Sequence, residues 1–485
     1  SFSFKKRANP SPCTCGGEYV EEKHSCCRPE FVGADINPAV PSGPGYIDGS
    51  FGWPTIDSCS VKRSFRLHCD IALNSIGRFT EQDRKFADRA IADLEERHRC
   101  LKFFPAREEQ EKDIDDFFEE MFPIALLDLD MNSTPGVCAL QRMGSTNGQV
   151  LGWNGTKLDP FRLSYFKQVI KDRFMLVVSG RAVADPIKLF VKQEPHKKEK
   201  LKQGRLRLIS SVSVIDSMVD RILFMRFTHK IMNNFDKTKM MIGWSPINGG
   251  YRLLKAWFGD KKTLSMDKSS WDWTVKKWLI DYCKKLIFSL AVDAPDWWKL
   301  AVEVRFKLLF EDPDYWFPDG TSGKQPIQGI MKSGCYLTIV LNSICQWIIH
   351  AMALYSIGLN LEDGDPFICL GDDTLQKFIE RYVDYLNYLQ SLGFKVKVQE
   401  HEPGDFEFAG FTYRKGYEPA YSQKHMFLLR HLTFDPIVSA ATLQSYQQLY
   451  YFDEDFTKYL KKIMRILVLP SAHISDCRLR AIALG

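Results

Sequence analysis

Apolar residues recur at helical spacing in several stretches of the chain. The first clear case is residues 80–100, where Thr80 is followed three residues later by Asp83, the spacing of a helix capping box. A second helical pattern runs through residues 381–392 and stops at Gly393. Both stretches therefore predict helices with defined ends.

Residues 335–361 contain no Asp, Glu, Lys or Arg, a length that would cross a bilayer. Four polar side chains nevertheless recur at every fourth position: Thr338, Asn342, Gln346 and His350. A single polar stripe on an otherwise apolar helix favours a helix that turns this stripe toward a site and packs elsewhere into a core. We predict no transmembrane span.

Residues 367–378 predict a β-hairpin. An apolar run ends at Gly371, Asp372 and Asp373 follow, and a second short alternating run comes next. Adjacent carboxylates at a tight turn repel each other unless they are solvated or bind a cation, and oxygen ligands suit Mg²⁺ or Mn²⁺. Taken alone, the triplet favours a plain surface turn.

Two further stretches carry polar residues beside predicted elements. In 263–292, a short apolar run leads to Asp267, Asp272 lies five residues on, and a helical pattern follows: Val275, Trp278, Leu279, Tyr282, Leu286 and Leu290. The alternative role for Asp272 is a helix N-cap. In 329–350, a flexible loop precedes the helix with the polar stripe; its key residues are Gly329, Ser333 and Gly334, for which ordinary loop and cap chemistry is the alternative.

Composition limits the class of protein. The 485 residues are 45% hydrophobic and 26% charged, which indicates a globular chain of about three domains, or one domain with large lobes. This excludes disordered, collagenous and coiled-coil proteins. Residues 28–57 are rich in Pro and Gly and predict an extended arm. The N-terminus lacks a signal peptide, and we expect a piece of a longer precursor; 13 cysteines indicate reduced thiols in the cytoplasm.

Positive charge is concentrated in residues 192–207. This stretch has seven Lys and Arg against two Glu, and its charge of +5 equals that of the whole chain. It predicts a nucleic-acid or phosphate contact, with a solvated basic loop as the alternative. The acidic residues 107–120 predict a solvated helix face turned away from nucleic acid.

A Cys/His cluster near the N-terminus could suggest zinc: Cys13, Cys15, His24, Cys26 and Cys27. Its spacing differs from the usual Cys-x2–4-Cys pairs, so we expect free or oxidised thiols rather than a zinc site. The chain has no GxxxxGK[ST], HExxH or GxSxG motif, which argues against helicase and protease functions.

Taken together, the motifs resemble the ordered signature of viral RNA-dependent RNA polymerases. Asp-x4-Asp, Ser-Gly-x3-Thr-x3-Asn and Gly-Asp-Asp follow one another, with the basic stretch before them. KQEPHKKEKLKQGRLRLI and LGDDT look most like the polymerases of sobemoviruses and their relatives, including poleroviruses. The resemblance covers roughly residues 130–415.

The resemblance implies an α+β right-hand polymerase fold with fingers, a palm built on an antiparallel sheet, and a small helical thumb. We expect an N-terminal arm at 1–57, fingers at 58–217, palm at 218–303, a fingers insertion at 304–325, more palm at 326–418 and a thumb at 419–485.

The resemblance also implies roles for particular residues in two-metal-ion synthesis of RNA. Mg²⁺, or Mn²⁺, would be bound by Asp267, Asp372 and Asp373. The NTP contacts would be Lys192, Arg205, Arg207, Asp272, Ser333, Thr338 and Asn342; of these, Asp272, Ser333 and Asn342 would check the ribose 2′-hydroxyl. RNA contacts would be Lys197 and Lys198, with Ser133, Thr134 and Gly136 of the STPGV loop guiding the template.

Two more features are implied after the Gly-Asp-Asp motif. Lys395 and Lys397 alternate with apolar residues, so both lie on the face away from the core, and either could protonate the leaving pyrophosphate. A solvated strand edge is the alternative. FEFAGFTY at 406–413 fits the primer-gripping hairpin by position, and the small thumb suggests that a duplex product or a protein-linked primer can enter.

Two other classes of protein fit less well. A reverse transcriptase normally has an aromatic residue in place of Asp272 and another in place of Leu370. A non-catalytic RNA-binding scaffold would have lost its carboxylates. The expected partners are template and product RNA, NTPs, a genome-linked protein primer and other viral replication proteins. We expect the host cytoplasm, in membrane-associated replication complexes reached through partners.

Overall fold

The computed structural model describes residues 35–111 and 113–485, so the Cys/His cluster at 13–27 lies outside the described residues. The chain combines helices with antiparallel sheets. The described α-helices are α1 (Ser58–Asn74), α2 (Glu81–Arg97), α3 (Ile114–Leu127), α4 (Asn147–Leu151), α5 (Pro160–Val178), α6 (Lys198–Gln203), α7 (Val214–Met232), α8 (Phe235–Thr238), α9 (Gly250–Phe258), α10 (Trp271–Thr274), α11 (Lys277–Leu290), α12 (Asp296–Phe310), α13 (Thr338–Ser356), α14 (Tyr382–Ser391), α15 (Ser422–Arg430), α16 (Pro436–Leu449), α17 (Glu454–Ile466) and α18 (Asp476–Leu484). The described strands are β1 (Phe51–Gly52), β2 (Ile187–Val191), β3 (His196–Lys197), β4 (Leu208–Ser211), β5 (Thr263–Lys268), β6 (Asp314–Trp316), β7 (Ser322–Lys324), β8 (Phe367–Leu370), β9 (Asp373–Lys377), β10 (Val396–His401), β11 (Glu407–Phe408), β12 (Phe411–Thr412) and β13 (Glu418–Pro419).

Two predicted helix ends are confirmed. Helix α2 begins after Thr80, and Thr80 and Asp83 form the predicted capping box. Helix α14 ends just before Gly393, whose φ of 96° lies in the left-handed region that glycine adopts readily. Local sequence therefore sets these boundaries.

Four antiparallel strands form what we call the central sheet, in the order β10-β5-β9-β8. The hairpin predicted at 367–378 is confirmed: Leu370 lies opposite Asp373, and Gly371 and Asp372 make the turn. Gly371 has a φ of 60°. This turn places Asp372 at the end of the sheet.

Helix α13 packs against this sheet and against α2, α11 and α14. Among the described residues it is the one helix long and apolar enough to cross a membrane, and 89% of its most apolar stretch is buried inside the protein. Asn342, Gln346 and His350 of the polar stripe are all buried. This burial supports the predicted core helix.

The entrance to α13 differs from the prediction of a flexible loop. The backbone of Gly329 bridges to Lys276, and that of Gly334 bridges to Ser211. A Cβ atom on Gly334 would lie 2.4 Å from the carbonyl oxygen of Ser210. The loop is therefore fixed at both ends, because its glycines let two backbones approach closely.

The helical pattern predicted from Val275 onward also begins later than expected. Helix α10 ends at Thr274, and Val275 is extended, with ψ of 117°. Lys276 then bridges to Gly329, and α11 starts at Lys277. Pairing with a distant segment overrides the local helical spacing.

A second sheet, which we call the peripheral sheet, has the order β4-β2-β6-β7. Strands β2 and β6 are parallel, and the other pairs are antiparallel. The strand suggested by the alternation at 205–208 begins at Leu208 instead. Strands β6 and β7 come from residues 304–325, the expected fingers insertion. The expected boundary between palm and insertion, before residue 304, falls within helix α12.

The arm at 35–57 runs between the C-terminal helices and the basic stretch. The amide of Asn37 donates to the carbonyl of Arg430 at 2.8 Å, and Trp53 makes an edge contact with Phe427 at 5.4 Å between ring centroids. Strand β1 pairs with β3. The arm therefore connects two distant parts of the chain.

Helices α15, α16 and α17 share a small core that also includes Val40 of the arm. Helix α18 contacts α16 and also packs on residues 240–250, where the amide of Asn248 donates to the carbonyl of Ile482 at 2.8 Å. The amide of Met241 donates to the carbonyl of Cys369 at 2.8 Å. Residues 240–250 thus lie between strand β8 and the C-terminal helix.

Candidate active site

Asp267, Asp372 and Asp373 lie at one end of the central sheet. Asp267 is near the end of β5, Asp373 begins β9, and Asp372 is in the turn before it. Strands β5 and β9 pair Met266 with Thr374, and the same register continued by one residue places Asp267 level with Asp373. All three side chains are accessible to solvent. The sheet therefore brings together carboxylates that come from separate motifs.

The pKa values of two of these carboxyls are raised. Loss of hydration is the largest cause for both, although both side chains remain accessible to solvent. For Asp373 the charge of Asp372 adds to this effect, and its pKa rises to about 6. Neighbouring carboxylates disfavour each other's ionised form, and a bound cation would relieve this repulsion.

Lys268, which sequence reasoning missed, lies beneath these carboxylates. Its side chain is buried, and its Nζ donates to Oγ1 of Thr374 at 2.7 Å. Burial lowers the pKa of Lys268 to about 8, although the charges of Asp372 and Asp373 oppose this shift. Side chains alternate along a strand, so a lysine directly after Asp267 could have been expected on the opposite, buried face.

The donor chemistry at this end of the sheet fits a divalent cation that prefers oxygen ligands. Asp267, Asp372 and Asp373 are the residues that would hold it. In the part of the chain that the structure describes, no three or more carboxylate, imidazole or thiol side chains are arranged as a ready-made metal site. The fit rests on the three carboxylates and on their placement on neighbouring strands.

Asp272 lies in α10 and finds its partner on α13. Nδ2 of Asn342 donates to Oδ1 of Asp272 at 3.3 Å, and Oδ1 of Asn342 accepts from Nε1 of Trp271 at 2.8 Å. The indole thereby fixes the orientation of the amide. Burial, and then the charge of Asp372, raises the pKa of Asp272 to about 6. Ser270 occupies the N-cap position of α10, so the capping alternative for Asp272 is wrong.

The hydroxyl of Ser333 does not join this pair in the structure. Its Oγ accepts from the amide of Ser210 at 3.1 Å and lies 3.5 Å from the carbonyl oxygen of Leu208. Ser333 therefore connects the entrance of α13 to strand β4. The single sequence could not show this, because the contact joins residues more than 120 positions apart.

Thr338 and the neighbouring Lys332 form a second group beside Asp272. The hydroxyl of Thr338 donates to the carbonyl of Lys332. The fully buried Nζ of Lys332 donates to three oxygens: Oε1 of Gln325 at 2.9 Å, the carbonyl of Gly329 at 3.2 Å and that of Ile330 at 2.5 Å. Sequence reasoning missed Lys332, whose burial lowers its pKa to about 7.

In the basic stretch, Lys192 and Arg207 approach the same acid. An N–H of the Arg207 guanidinium donates to Oε1 of Glu194 at 2.6 Å, and Nζ of Lys192 lies 3.4 Å from Oε2. Burial raises the pKa values of Asp272 and Asp372, and the charge of Arg207 opposes both shifts. The guanidinium of Arg207 is therefore within electrostatic range of the carboxylates.

The other basic residues singled out from the sequence belong to the same segment. Lys197 ends β3 and Lys198 begins α6, and both are exposed. Helix α6 ends at Gln203 and is capped by Gly204, and the amide of Arg205 then donates to the carbonyl of Lys200 at 3.1 Å. These side chains are accessible to a phosphate or to RNA.

The STPGV loop is held by its own groups and by α7. The amide of Gly136 donates to Oγ1 of Thr134 at 3.2 Å, and the amide of Val214 donates to the carbonyl of Pro135 at 2.8 Å. Ser133 is hydrogen-bonded outside the loop, to Asp130. A role for this loop in guiding the template stays a prediction.

Lys395 and Lys397 are both exposed on the same side of the chain. In the pairing of β10 with β5, Lys397 lies opposite Asp267. Lys395 precedes the strand, and its carbonyl accepts from the amide of Ser269 at 2.9 Å. Lys397 therefore shares a row of the sheet with Asp267, whereas Lys395 lies beyond the end of β10.

Strands β11 and β12 form the hairpin predicted at 406–413. Its turn residues Ala409 and Gly410 have φ values of 53° and 78°, as a tight two-residue turn requires. The hydroxyl of Ser265 donates to the carbonyl of Glu407 at 2.8 Å, which places the hairpin against β5. The hairpin itself is confirmed, and its role with a primer stays a prediction.

A family model described as viral RNA-dependent RNA polymerase matches residues 119–462. This range contains all three carboxylates, the Asp272–Asn342 pair and the basic stretch. The chain belongs to the viral RNA-dependent RNA polymerase family. RNA synthesis directed by an RNA template is the activity of that family, and the prediction of an RNA-directed RNA polymerase is confirmed.

Similar proteins come from several RNA viruses. The chain is 28% identical over 304 residues to the RNA-directed RNA polymerase of Mushroom bacilliform virus, covering 60% of this chain and 70% of that protein. It is 27% identical over 288 residues to the replicase polyprotein P2AB of Southern cowpea mosaic virus, covering 55% of this chain and 28% of the polyprotein. For Protein P1-P2 of Potato leafroll virus the identity is 29% over 248 residues, with 48% and 22% covered. The likeness to sobemovirus and polerovirus polymerases is thereby confirmed.

Proposed function

We propose that this chain is the catalytic unit that copies viral RNA, transferring nucleotides from NTPs to a growing RNA 3′ end. The observation that carries the proposal is the meeting of Asp267, Asp372 and Asp373 at one end of an antiparallel sheet, beside the Asp272–Asn342 pair. The central sheet then corresponds to the palm, the peripheral sheet and basic stretch to the fingers, and α15–α18 to the thumb.

Asp267 and Asp372 would hold the divalent ions, with Asp373 close by. When bound, Mg²⁺ or Mn²⁺ activates the attacking 3′-hydroxyl and neutralises charge on the triphosphate. Lys268 lies beneath these carboxylates as a buried counter-charge, fixed by its hydrogen bond to Thr374. The protein thus holds several carboxylates together at one edge despite their mutual repulsion.

The Asp272–Asn342 pair would bind the ribose. A carboxylate and an amide together offer an acceptor and a donor for a 2′-hydroxyl. A deoxyribonucleotide would leave unpaired the lone pairs and the N–H that the two side chains do not use between themselves. Ser333 would join them only after leaving Ser210. An acid at position 272, in place of the aromatic side chain of a reverse transcriptase, favours ribonucleotides.

Arg207, Lys192 and Arg205 would contact the triphosphate. Each arginine can donate two parallel hydrogen bonds from its guanidinium group to phosphate oxygens. Lys197 and Lys198 would contact RNA. For the proton that the leaving pyrophosphate accepts, we favour Lys395 because Lys397 lies opposite Asp267 and is placed to act as its counter-charge.

The small thumb supports entry of a duplex product. The described residues that follow strand β13 form four α-helices, α15–α18, of which the longest has 14 residues. A small thumb leaves a wide exit, so a primer, including a protein-linked one, can enter without large rearrangement. Initiation that is strictly de novo and indifferent to any primer would refute this part of the proposal.

The proposed setting is the host cytoplasm, within membrane-associated replication complexes. Because α13 is buried in the core, another viral replication protein would provide the membrane contact. Fractionation of cells that express the chain with and without the other viral proteins tests this. Membrane association of the chain expressed alone would contradict it.

Primer extension on a defined RNA template tests the proposed activity. The reaction is run with NTPs or dNTPs and with Mg²⁺ or Mn²⁺, with and without a primer. Template-directed incorporation of NTPs is the expected result. Binding of RNA without synthesis under either metal, with a primer supplied, would point to a scaffold instead.

A further inference from the structure

Glu194 connects the basic stretch to the C-terminal helices. Its Oε1 accepts from Arg207 at 2.6 Å, and its Oε2 lies 3.4 Å from Nζ of Lys192 and 3.1 Å from Nζ of Lys424. Lys424 belongs to α15, whereas the other two cations flank Glu194 in the segment between β2 and β4. One carboxylate is therefore shared by cations from two separate parts of the chain.

The position of Glu194 is fixed by its surroundings. Its side chain is only 17% exposed. Nε2 of His196 accepts from the amide of Arg207 at 3.0 Å, so the ring proton is on Nδ1, which donates to the carbonyl of Glu194 at 2.8 Å. Burial alone would raise the pKa of Glu194, but Arg207, Lys424 and Lys192 together lower it, so the carboxylate is ionised at neutral pH.

The helix that carries Lys424 is anchored to the arm as well. The neighbouring Gln423 donates from Nε2 to the carbonyl of Gly45 at 2.8 Å, and its Oε1 accepts from the amide of Ile47 at 2.9 Å. The arm that carries these two residues continues into β1, which pairs with β3 of the basic stretch. The ion pair of Lys424 with Glu194 is thus part of a connected junction.

A triphosphate would compete with Glu194 for the same cations. The side chain of Arg207 is 57% exposed and that of Lys192 is 39% exposed, so both can turn toward an incoming phosphate. Once they do, Lys424 is the remaining cation beside Glu194. Without Lys424, the carboxylate would have only the two cations that the nucleotide needs.

We propose that Lys424 is a positioning residue for nucleotide binding, which holds Glu194 so that Arg207 and Lys192 remain available to the triphosphate. This inference rests on the proposed role of Arg207 and Lys192 as NTP contacts. Through Glu194, a residue of helix α15 would thus influence nucleotide affinity although the helix does not contact the nucleotide.

The test compares Lys424→Met, Glu194→Gln and the double variant in primer extension. Lys424→Met should raise KM for NTP about three- to tenfold with kcat nearly unchanged, because a partly exposed ion pair has a modest strength. In the Glu194→Gln background, the same change should alter KM less than about twofold, since no competing carboxylate is left. Lys458→Met is the matched control, because Lys458 forms an exposed pair with Glu454 at 3.2 Å on α17.

Calorimetric binding of inorganic tripolyphosphate gives a second readout that does not depend on synthesis. Its affinity should fall in Lys424→Met by a similar factor and should be insensitive to Lys424 in the double variant. An unchanged KM and affinity, or an equal loss in the Glu194→Gln background, would overturn the inference. If the intact protein makes no RNA, the proposed function fails, and the tripolyphosphate arm still decides the role of Lys424.

Discussion

The amide of Asn342 donates to the carboxylate of Asp272 at 3.3 Å and so joins the buried helix α13 to the segment that follows Asp267. The same amide accepts from the indole of Trp271. An acceptor and a donor of fixed orientation are thus presented beside the three carboxylates. This arrangement is what a ribose 2′-hydroxyl requires for recognition.

Replacing Asp272 by Ala should lower the preference for NTPs over dNTPs by at least about tenfold, because the acceptor for the 2′-hydroxyl is lost. The measurement is the ratio of kcat/KM for NTP and dNTP incorporation. Trp271→Phe, which keeps an aromatic ring against Phe394 but removes the N–H that orients the amide of Asn342, should cause a smaller change in the same direction. An unchanged ratio in Asp272→Ala would argue against ribose recognition by this pair.

Local sequence predicted the features that depend on neighbouring residues. The capping box of Thr80 and Asp83 and the hairpin with Asp372 at its tip were both readable from spacing of a few residues. The contact of Ser333 with Ser210 was not, because it depends on how two distant segments pack. Lys268 and Lys332 were missed for the related reason that a buried lysine contradicts the usual exposure of its residue type.

Arg305 offers a test of the core. Its Nε and one terminal N–H donate to the two carboxylate oxygens of Asp220 at 2.6 and 2.9 Å, and Asp216 lies 3.9 Å away; all three side chains are buried. Arg305→Met should reduce the free energy of unfolding by about 3–5 kcal/mol, because the buried carboxylate of Asp220 loses its counter-charge. Asp216 keeps Arg173, which lies 2.7 Å away.

Denaturant unfolding measures this loss. The control is Arg99→Met, since Arg99 pairs with Glu96 at 3.0 Å with both side chains about three-quarters exposed. That change should cost less than about 1 kcal/mol. Equal losses in the two variants would contradict the importance of the buried pair.

The stability of the protein should fall at mildly acidic pH, partly through His68. Its Nε2 donates to the carbonyl of Leu206 at 2.8 Å, and among the described residues its Nδ1 has no partner. Burial lowers the pKa of His68 to about 4 from 6.5. Since the unfolded chain binds the proton more tightly, this contribution is complete above pH 6.5 and is lost as the pH falls toward 4, up to about 3 kcal/mol.

Unfolding free energies at pH 7.5 and pH 5 check this pH dependence. A His68→Gln variant, which cannot take up the proton, should lose less stability between these two values than the intact protein does. An identical pH dependence in both proteins would mean that other groups account for the effect.

The two lysines after α14 should differ in their effect on catalysis. Lys395→Met should lower kcat by about a hundredfold or more if this side chain protonates the leaving pyrophosphate. Lys397→Met, which removes the residue opposite Asp267, should mainly change the Mg²⁺ concentration that is required for half-maximal activity. Lys299→Met, an exposed lysine of α12, is the control.

The rate constant of a single turnover and its solvent deuterium isotope effect distinguish these roles. The isotope effect should shrink in Lys395→Met, because proton transfer to the pyrophosphate no longer involves that side chain. If Lys397→Met shows the larger loss of kcat, the roles of the two lysines are reversed.

The most direct test of the central claim is primer extension by Asp372→Asn beside the intact protein, with NTPs and Mg²⁺ or Mn²⁺. We expect template-directed synthesis by the intact protein and a loss of about a thousandfold or more in the variant, equivalent to at least ~4 kcal/mol of transition-state stabilisation. Asp384→Asn, which changes an exposed carboxylate of α14, should remain active. Undiminished synthesis by Asp372→Asn would contradict the assignment of the active site to this end of the central sheet.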